Sequence, residues 1–164
     1  MPTRRTAAVP ASDDVDAVTD AVLTASRLLV AVSARSIAAV DESITIPQFR
    51  LLVVLGSHGP LKLTALAEFL AVNPSTATRM VDRLVAAGLV NREANPASRR
   101  ELVVSLTGTG AAVVRDVTQR RRKEISRIVG RMAPSTRRGL VRALNAFTDA
   151  GDEPRIADHG DLWL

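Results

Sequence analysis

A chain of 164 residues, 46% hydrophobic and 24% charged, has the length of one compact domain with a small dimerisation appendage and the composition of a globular protein. It contains no cysteine, which excludes disulfide frameworks, thiolate zinc sites and redox sensing through a thiol. The formal net charge is +5, and because Lys62 and Lys123 are its only lysines the cationic set is almost wholly arginine, the side chain best matched to phosphate oxygens and guanine edges.

Counted as uninterrupted runs, no apolar stretch approaches the ~18 residues of a bilayer-crossing helix. The basic segment Met1 to Pro10 has no apolar stretch behind it. The expectation is a cytoplasmic protein without a membrane partner.

Residues 1–12 carry Pro2, Pro10 and scattered Ala, Thr and Arg without periodicity, the pattern of a flexible tail. From Asp13 the residues Val15, Val18, Val22, Ala25, Leu28, Leu29, Val32 and Ile37 recur at three and four, with Asp13, Asp14 and Asp16 at the positive end of the dipole. That predicts a long amphipathic helix to about Val40. Pro47 opens a second helix, striped by Phe49, Leu52, Val53 and Val54 and broken by Gly56 to Pro60. Thr64 is placed to cap a third, short helix through Leu70; Asn73 followed by Pro74 is a strong start signal for a fourth, which stops at Gly88.

Beyond Gly88 the period falls to two. Leu89 and Val90 begin one strand, Leu102, Val104 and Leu106 alternate in the next, and Asn95 to Ser98 between them are turn chemistry. A helix after Thr107 carries Val113, Val114, Val117, Ile125, Ile128 and Met132 on one face. Pro134 punctuates it, and Leu140, Val141, Leu144 and Phe147 stripe a last helix before Gly151. Residues 151–164 read as a polar tail with an apolar tip at Leu162, Trp163 and Leu164.

Two short helices, a tight connection and a hairpin after the second form the order of a winged helix-turn-helix, in which the second helix enters the major groove. On that helix Ala77, Met80, Val81, Leu84 and Val85 share one face, leaving Ser75, Thr76, Thr78, Arg79, Asp82 and Arg83 outward. Arginine bonds guanine bidentately, threonine bonds bases or meets a thymine methyl, and a hydroxyl at a helix N-terminus approaches phosphate. Taken alone, such a polar face is equally a solvated helix surface. Arg99 and Arg100 on the hairpin weigh against that, because a basic wing suits a narrow minor groove.

The stretch Pro74-Ser-Thr-Ala-Thr-Arg-Met-Val-Asp-Arg-Leu-Val-Ala-Ala-Gly-Leu-Val90 resembles the recognition helix and following strand of the MarR family of bacterial regulators. Asn95-Pro-Ala-Ser-Arg-Arg-Glu-Leu-Val-Val-Ser-Leu-Thr-Gly-Thr-Gly110 resembles that family's wing, an Asp-x-Arg pair followed by Leu-Thr-x-x-Gly. Ser98 stands where the family carries the aspartate, and Arg100 matches the arginine two residues on. The resemblance, over roughly Val15 to Ala150, implies a mainly α fold with a small β-hairpin wing: a winged helix-turn-helix plus a helical dimerisation lobe formed by the N- and C-terminal helices.

It divides the chain into a tail (1–12), an N-terminal dimerisation helix (13–46), the DNA-binding domain (47–106), C-terminal dimerisation helices (107–150) and a second tail (151–164). It implies double-stranded DNA and a second copy of the chain as partners, and repression relieved by small anionic or phenolic effectors. Independently, the apolar stripes of the first and fifth helices are longer than a small winged-helix core can cover, so part of each calls for a second chain.

The DNA-binding residues are therefore expected to be Ser75, Thr76, Thr78, Arg79, Arg83, Arg99 and Arg100. The run Arg120 to Lys123 reads chiefly as solvated or ion-paired surface. Two histidines, His58 and His159, no cysteine and no phosphate-loop, zinc or nucleophile-elbow motif leave no enzyme, cofactor or metal expected. The competing reading is a winged-helix protein-interaction module without specific DNA readout, which would not need the outward Ser, Thr and Arg set.

Overall fold

The computed structural model describes residues 11–95 and 98–151. Most of the two expected tails, with Arg4, Arg5, His159 and Trp163, lies outside the described residues, as do Pro96 and Ala97 of the expected turn. The chain forms two compact units, Met1–Arg122 and Lys123–Leu164.

In the first unit α1 (Ala11–Ala38) leads to α2 (Ile46–His58), β1 (Leu61–Lys62), α3 (Leu63–Phe69), α4 (Pro74–Ala86), β2 (Val90–Asn95) and β3 (Ser98–Leu106), and α5 (Gly108–Gly130) begins there. The second unit holds the end of α5 and α6 (Pro134–Ala150).

Local chemistry explains the helix starts. Thr45 and Gln48 form a reciprocal capping box: the Thr45 hydroxyl accepts from the Gln48 backbone N–H, and Gln48 Oε1 accepts from the Thr45 N–H at 2.8 Å. Pro47 then falls in the first turn, where its missing N–H costs nothing. Gly56, expected to break this helix, lies inside it. The i→i−4 ladder tolerates a single glycine, and α2 stops only at Gly59, where φ reaches 75°. Thr64 does not cap α3: the helix begins at Leu63, two residues earlier than such a cap would start it, with Lys62 as its N-cap and no side-chain cap bond.

Leu61 and Lys62 are occupied as a strand the sequence reading missed, pairing antiparallel with Val104 and Val103. The wing is therefore part of a three-stranded sheet in the order β1-β3-β2. β2 and β3 pair in register from Val90 opposite Leu106 to Ala94 opposite Leu102, with an irregularity at Ala94/Asn95.

Phe49, Leu51, Leu52 and Leu55 of α2, Leu66 of α3, Val81 and Leu84 of α4, Val90 and Val104 of the sheet and Val113, Val114 and Val117 of α5 meet in one core. α1 contributes only its last turns, through Val32 and Ile37. Earlier in that helix Val15, Val18, Leu23, Leu28, Leu29 and Val30 are exposed. From Asp14 to Ala38 the helix is in fact long and apolar enough to cross a membrane, which corrects the count of uninterrupted runs. Its few charges, such as Arg27 and Arg35, interrupt every run without making the segment polar. In the second unit, α6 buries no residue, and Val141, Leu144 and Phe147 are more than half exposed.

Candidate nucleic-acid interface

α4 is held from both ends. At its start the Asn73 side chain accepts from the Thr76 N–H at 2.9 Å, and Pro74 occupies the first turn. At its end the chain turns through Gly88, at φ 71°, a left-handed conformation that glycine adopts without strain. Ala77, Val81 and Leu84 are buried in the core, so the opposite face is fixed outward.

On that outward face Ser75, Arg79, Asp82 and Arg83 are exposed, and Thr76 and Thr78 are half-buried. Their polar atoms are partly engaged within the helix. The Ser75 hydroxyl donates to Asn73 Oδ1 at 2.8 Å, the Thr78 hydroxyl to the Pro74 carbonyl at 2.8 Å, and Arg79 Nη2 to the Thr76 hydroxyl at 3.4 Å. The hydroxyl oxygens keep acceptor capacity, and the two guanidiniums keep most of their N–H donors. Val85, counted on the buried face, is 40% exposed: Leu84 beside it is buried, and Val85 lies about 80° round the helix from Ala77, at the rim of the face that meets the core.

A feature of this face that the sequence did not reveal is an ion pair between Arg92 of β2 and Asp82, tying the sheet to α4. Periodicity places Asp82 on the polar face but gives no register between a helix and a strand ten residues later. Arg99 and Arg100 lie in the first residues of β3 by their backbone, and their side chains are outside the described residues.

The base of the hairpin is tied to α4 and α5 by one residue. The Thr107 hydroxyl donates to the Gly88 carbonyl at 2.8 Å and accepts from the Gly110 N–H at 3.0 Å, while the Thr107 N–H donates to the Leu89 carbonyl at 3.1 Å. Gly110 packs so closely on Leu89 that a Cβ there would lie 2.0 Å from its carbonyl oxygen. The Leu-Thr-x-x-Gly string thus has a mechanical reason: the threonine joins two turns, and the glycine lets α5 pass over the backbone.

A cavity of about 260 Å³ lies within the first unit, lined by Ile46, Pro47, Arg50, Leu70, Val72 and Met80. Among the described residues no group of three or more His, Cys, Asp or Glu side chains is placed to hold a metal ion.

The MarR family model matches residues 44–102, from the cap of α2 into β3. A solved structure of RV1404 from Mycobacterium tuberculosis is 63% identical, with a TM-score of 0.81, over 87% of this chain and 97% of that one. The chain belongs to the MarR family.

Among curated relatives, the HTH-type transcriptional repressor NicR of Pseudomonas putida is 38% identical over 76 residues, 46% of this chain and 48% of NicR. A structure of a mutant of Escherichia coli MarR complexed with operator DNA has a TM-score of 0.64 at 22% identity, over 85% of this chain and 99% of that one, and so shares the fold. The chain spans between about half and two thirds of the length of the curated relatives it matches.

Proposed function

We propose that this protein is a sequence-specific double-stranded DNA-binding transcription regulator, a ligand-responsive repressor that acts as a homodimer on an inverted-repeat operator. The observation that carries the reading is the outward face of α4. A helix clamped at both ends presents Ser75, Thr76 and Thr78 near its N-terminus and Arg79 and Arg83 along one side, the chemistry needed for major-groove base edges and their phosphates. Arg99 and Arg100 at the start of β3 serve the neighbouring minor groove. NicR is a repressor, and the Escherichia coli MarR mutant that shares this fold was captured on operator DNA; both support the assignment.

Dimerisation is assigned to 13–46 and 107–150, and DNA binding to 47–106. The exposed apolar side chains of α1 and α6 support this, since each face needs a cover that a second copy supplies. Two-fold symmetry then sets two copies of α4 about one DNA turn apart, ~34–36 Å. The same need for a cover gives the apolar length of α1 a role in a cytoplasmic protein rather than in a bilayer. The depression lined by Ile46, Pro47, Arg50, Leu70, Val72 and Met80 is open to solvent, with the exposed Arg50 at its rim; the effector of this reading is a small anionic or phenolic molecule.

Enrichment of a pool of random-sequence duplexes on the purified protein, followed by competition with unrelated DNA over a salt series, tests the proposal. An inverted-repeat consensus that survives competitor is the expected result. Binding that is weak, uniform across sequences and steeply salt-dependent would leave the protein-interaction module as the better reading.

A further inference from the structure

Asp82 is out of place on a surface meant to face DNA. It lies between Arg79 and Arg83 on the outward side of α4 and is 56% exposed, so a free carboxylate there would repel phosphates and the acceptor edges of purines. One base contact is open to it, acceptance from cytosine N4. The structure gives the carboxylate another partner, because Asp82 Oδ1 accepts from Arg92 Nη2 of β2.

Arg92 sits mid-strand opposite Val104, which is fully buried and pairs on its other side with Leu61. The guanidinium therefore projects from a paired position of β2, two residues beyond Val90. Among the described residues its Nε is buried without a hydrogen-bond partner, while the side chain as a whole is 27% exposed, so the guanidinium is partly withdrawn from water beside the anion that pairs with it. Removing that anion leaves a half-buried cation poorly satisfied.

We propose that Asp82 and Arg92 are a positioning pair, which sets the angle between α4 and the hairpin so that major-groove and minor-groove contacts are made together, and that Asp82 reads no base. The inference rests on the DNA-binding function proposed above. The base of the hairpin is already fixed by Leu89, Val90 and Thr107. The pair acts two residues further out, where a small rotation is magnified at Arg99 and Arg100.

The sign of the effect separates this role from a solvated surface charge. Asp82→Asn removes a negative charge from the DNA-facing side, so simple electrostatics would strengthen binding to every duplex. A positioning role makes the selected duplex bind at least about tenfold more weakly, the scale of one lost base contact, while unrelated duplex binds as well or better. The exchange Asp82→Arg with Arg92→Asp should recover much of the loss that either single substitution causes.

The tests use the full chain, with duplexes enriched on the wild-type protein. A readout independent of DNA accompanies them: amide hydrogen exchange in residues 92–95 and 102–104 should quicken in Asp82→Asn and slow again in the exchanged pair, with the core helices unchanged. Binding of Asp82→Asn as tight as wild type would overturn the proposal. So would a changed base preference at one operator position, which would make Asp82 a base reader, and so would unchanged hairpin exchange. If the wild-type protein selects no sequence, the proposed function fails by itself, while the exchange experiment still decides whether the pair holds the hairpin.

Discussion

Substituting Gly110 with alanine should destabilise the protein although it places a better helix former in a helix. The added Cβ would stand 2.0 Å from the Leu89 carbonyl oxygen, 3.0 Å from its carbon and 3.2 Å from Leu106 Cδ2. The first distance is more than about 1 Å inside an ordinary carbon–oxygen separation of roughly 3.3 Å. The obstacle is backbone, so no rotamer change relieves it, and that carbonyl also receives the Thr107 N–H. Overpacking of this kind costs about 1–3 kcal/mol, a weakened hydrogen bond about 1 more, and alanine's helix propensity returns up to about 1.

The net is about 2 kcal/mol, or about 4–8 °C in Tm for a chain of this size. Gly108, two residues earlier, where an added Cβ meets nothing within 4 Å among the described residues, provides the control. Urea unfolding followed by circular dichroism at one fixed protein concentration should give a lower midpoint for Gly110→Ala than for wild type, and a midpoint at or above wild type for Gly108→Ala. Equal midpoints for the two variants would show that α5 does not pass this close to Leu89, and the reasoning would fail.

Asn73→Ala removes the cap of α4 and should cost about 1 kcal/mol in the same unfolding assay, whereas Asn73→Asp, which keeps an acceptor for the Thr76 N–H, should cost little. Ala71, in the turn between α3 and α4, holds φ at 53°; Ala71→Gly should therefore stabilise by up to about 1 kcal/mol, against the usual penalty for introducing glycine. Arg83→Ala and Arg79→Ala should each weaken binding to the selected duplex by about 1–3 kcal/mol if the guanidinium reads a base, and Arg100→Ala should lower affinity with a smaller change in sequence preference. Charge on the exposed apolar faces, as in Leu28→Glu or Leu144→Glu, should shift sedimentation toward the monomer while leaving the helical circular dichroism of the winged-helix unit in place.

Much of this molecule is legible from residue spacing. Asn73-Pro74 announces α4 because an acceptor side chain and a ring that lacks an N–H each solve a problem peculiar to helix starts. The three-four spacing of Ala77, Val81 and Leu84 identifies its inner face, and from that the outer one follows. Spacing fails where a second element decides. Leu61 and Lys62 are a strand only because Val103 and Val104 lie beside them, and two residues carry no period of their own. Thr64 loses its capping role because α3 starts two residues early, directly after that pairing.

Val85 obeys the helical period but lies at the rim of the apolar face, and how wide a face the core covers is set by packing. The union of Asp82 with Arg92 depends on the angle between a helix and a strand, which no one-dimensional pattern encodes. In α1, counting uninterrupted runs hid an apolar helix, because sparse charges break a run without offsetting the residues around them.

The knot at Thr107 also has a mechanical meaning. The Gly88 turn ends α4, Leu89 leads into β2, Leu106 closes β3 and Gly110 lies in the first turn of α5, and short hydrogen bonds with a backbone-on-backbone contact join all four. No flexible linker stands at the root of α5. A tilt of that root is then passed as a rigid lever motion to the trailing end of α4 and to both strands, instead of being absorbed by loop torsions. A reorientation of the start of α5 is therefore expected to carry the trailing end of α4 with it.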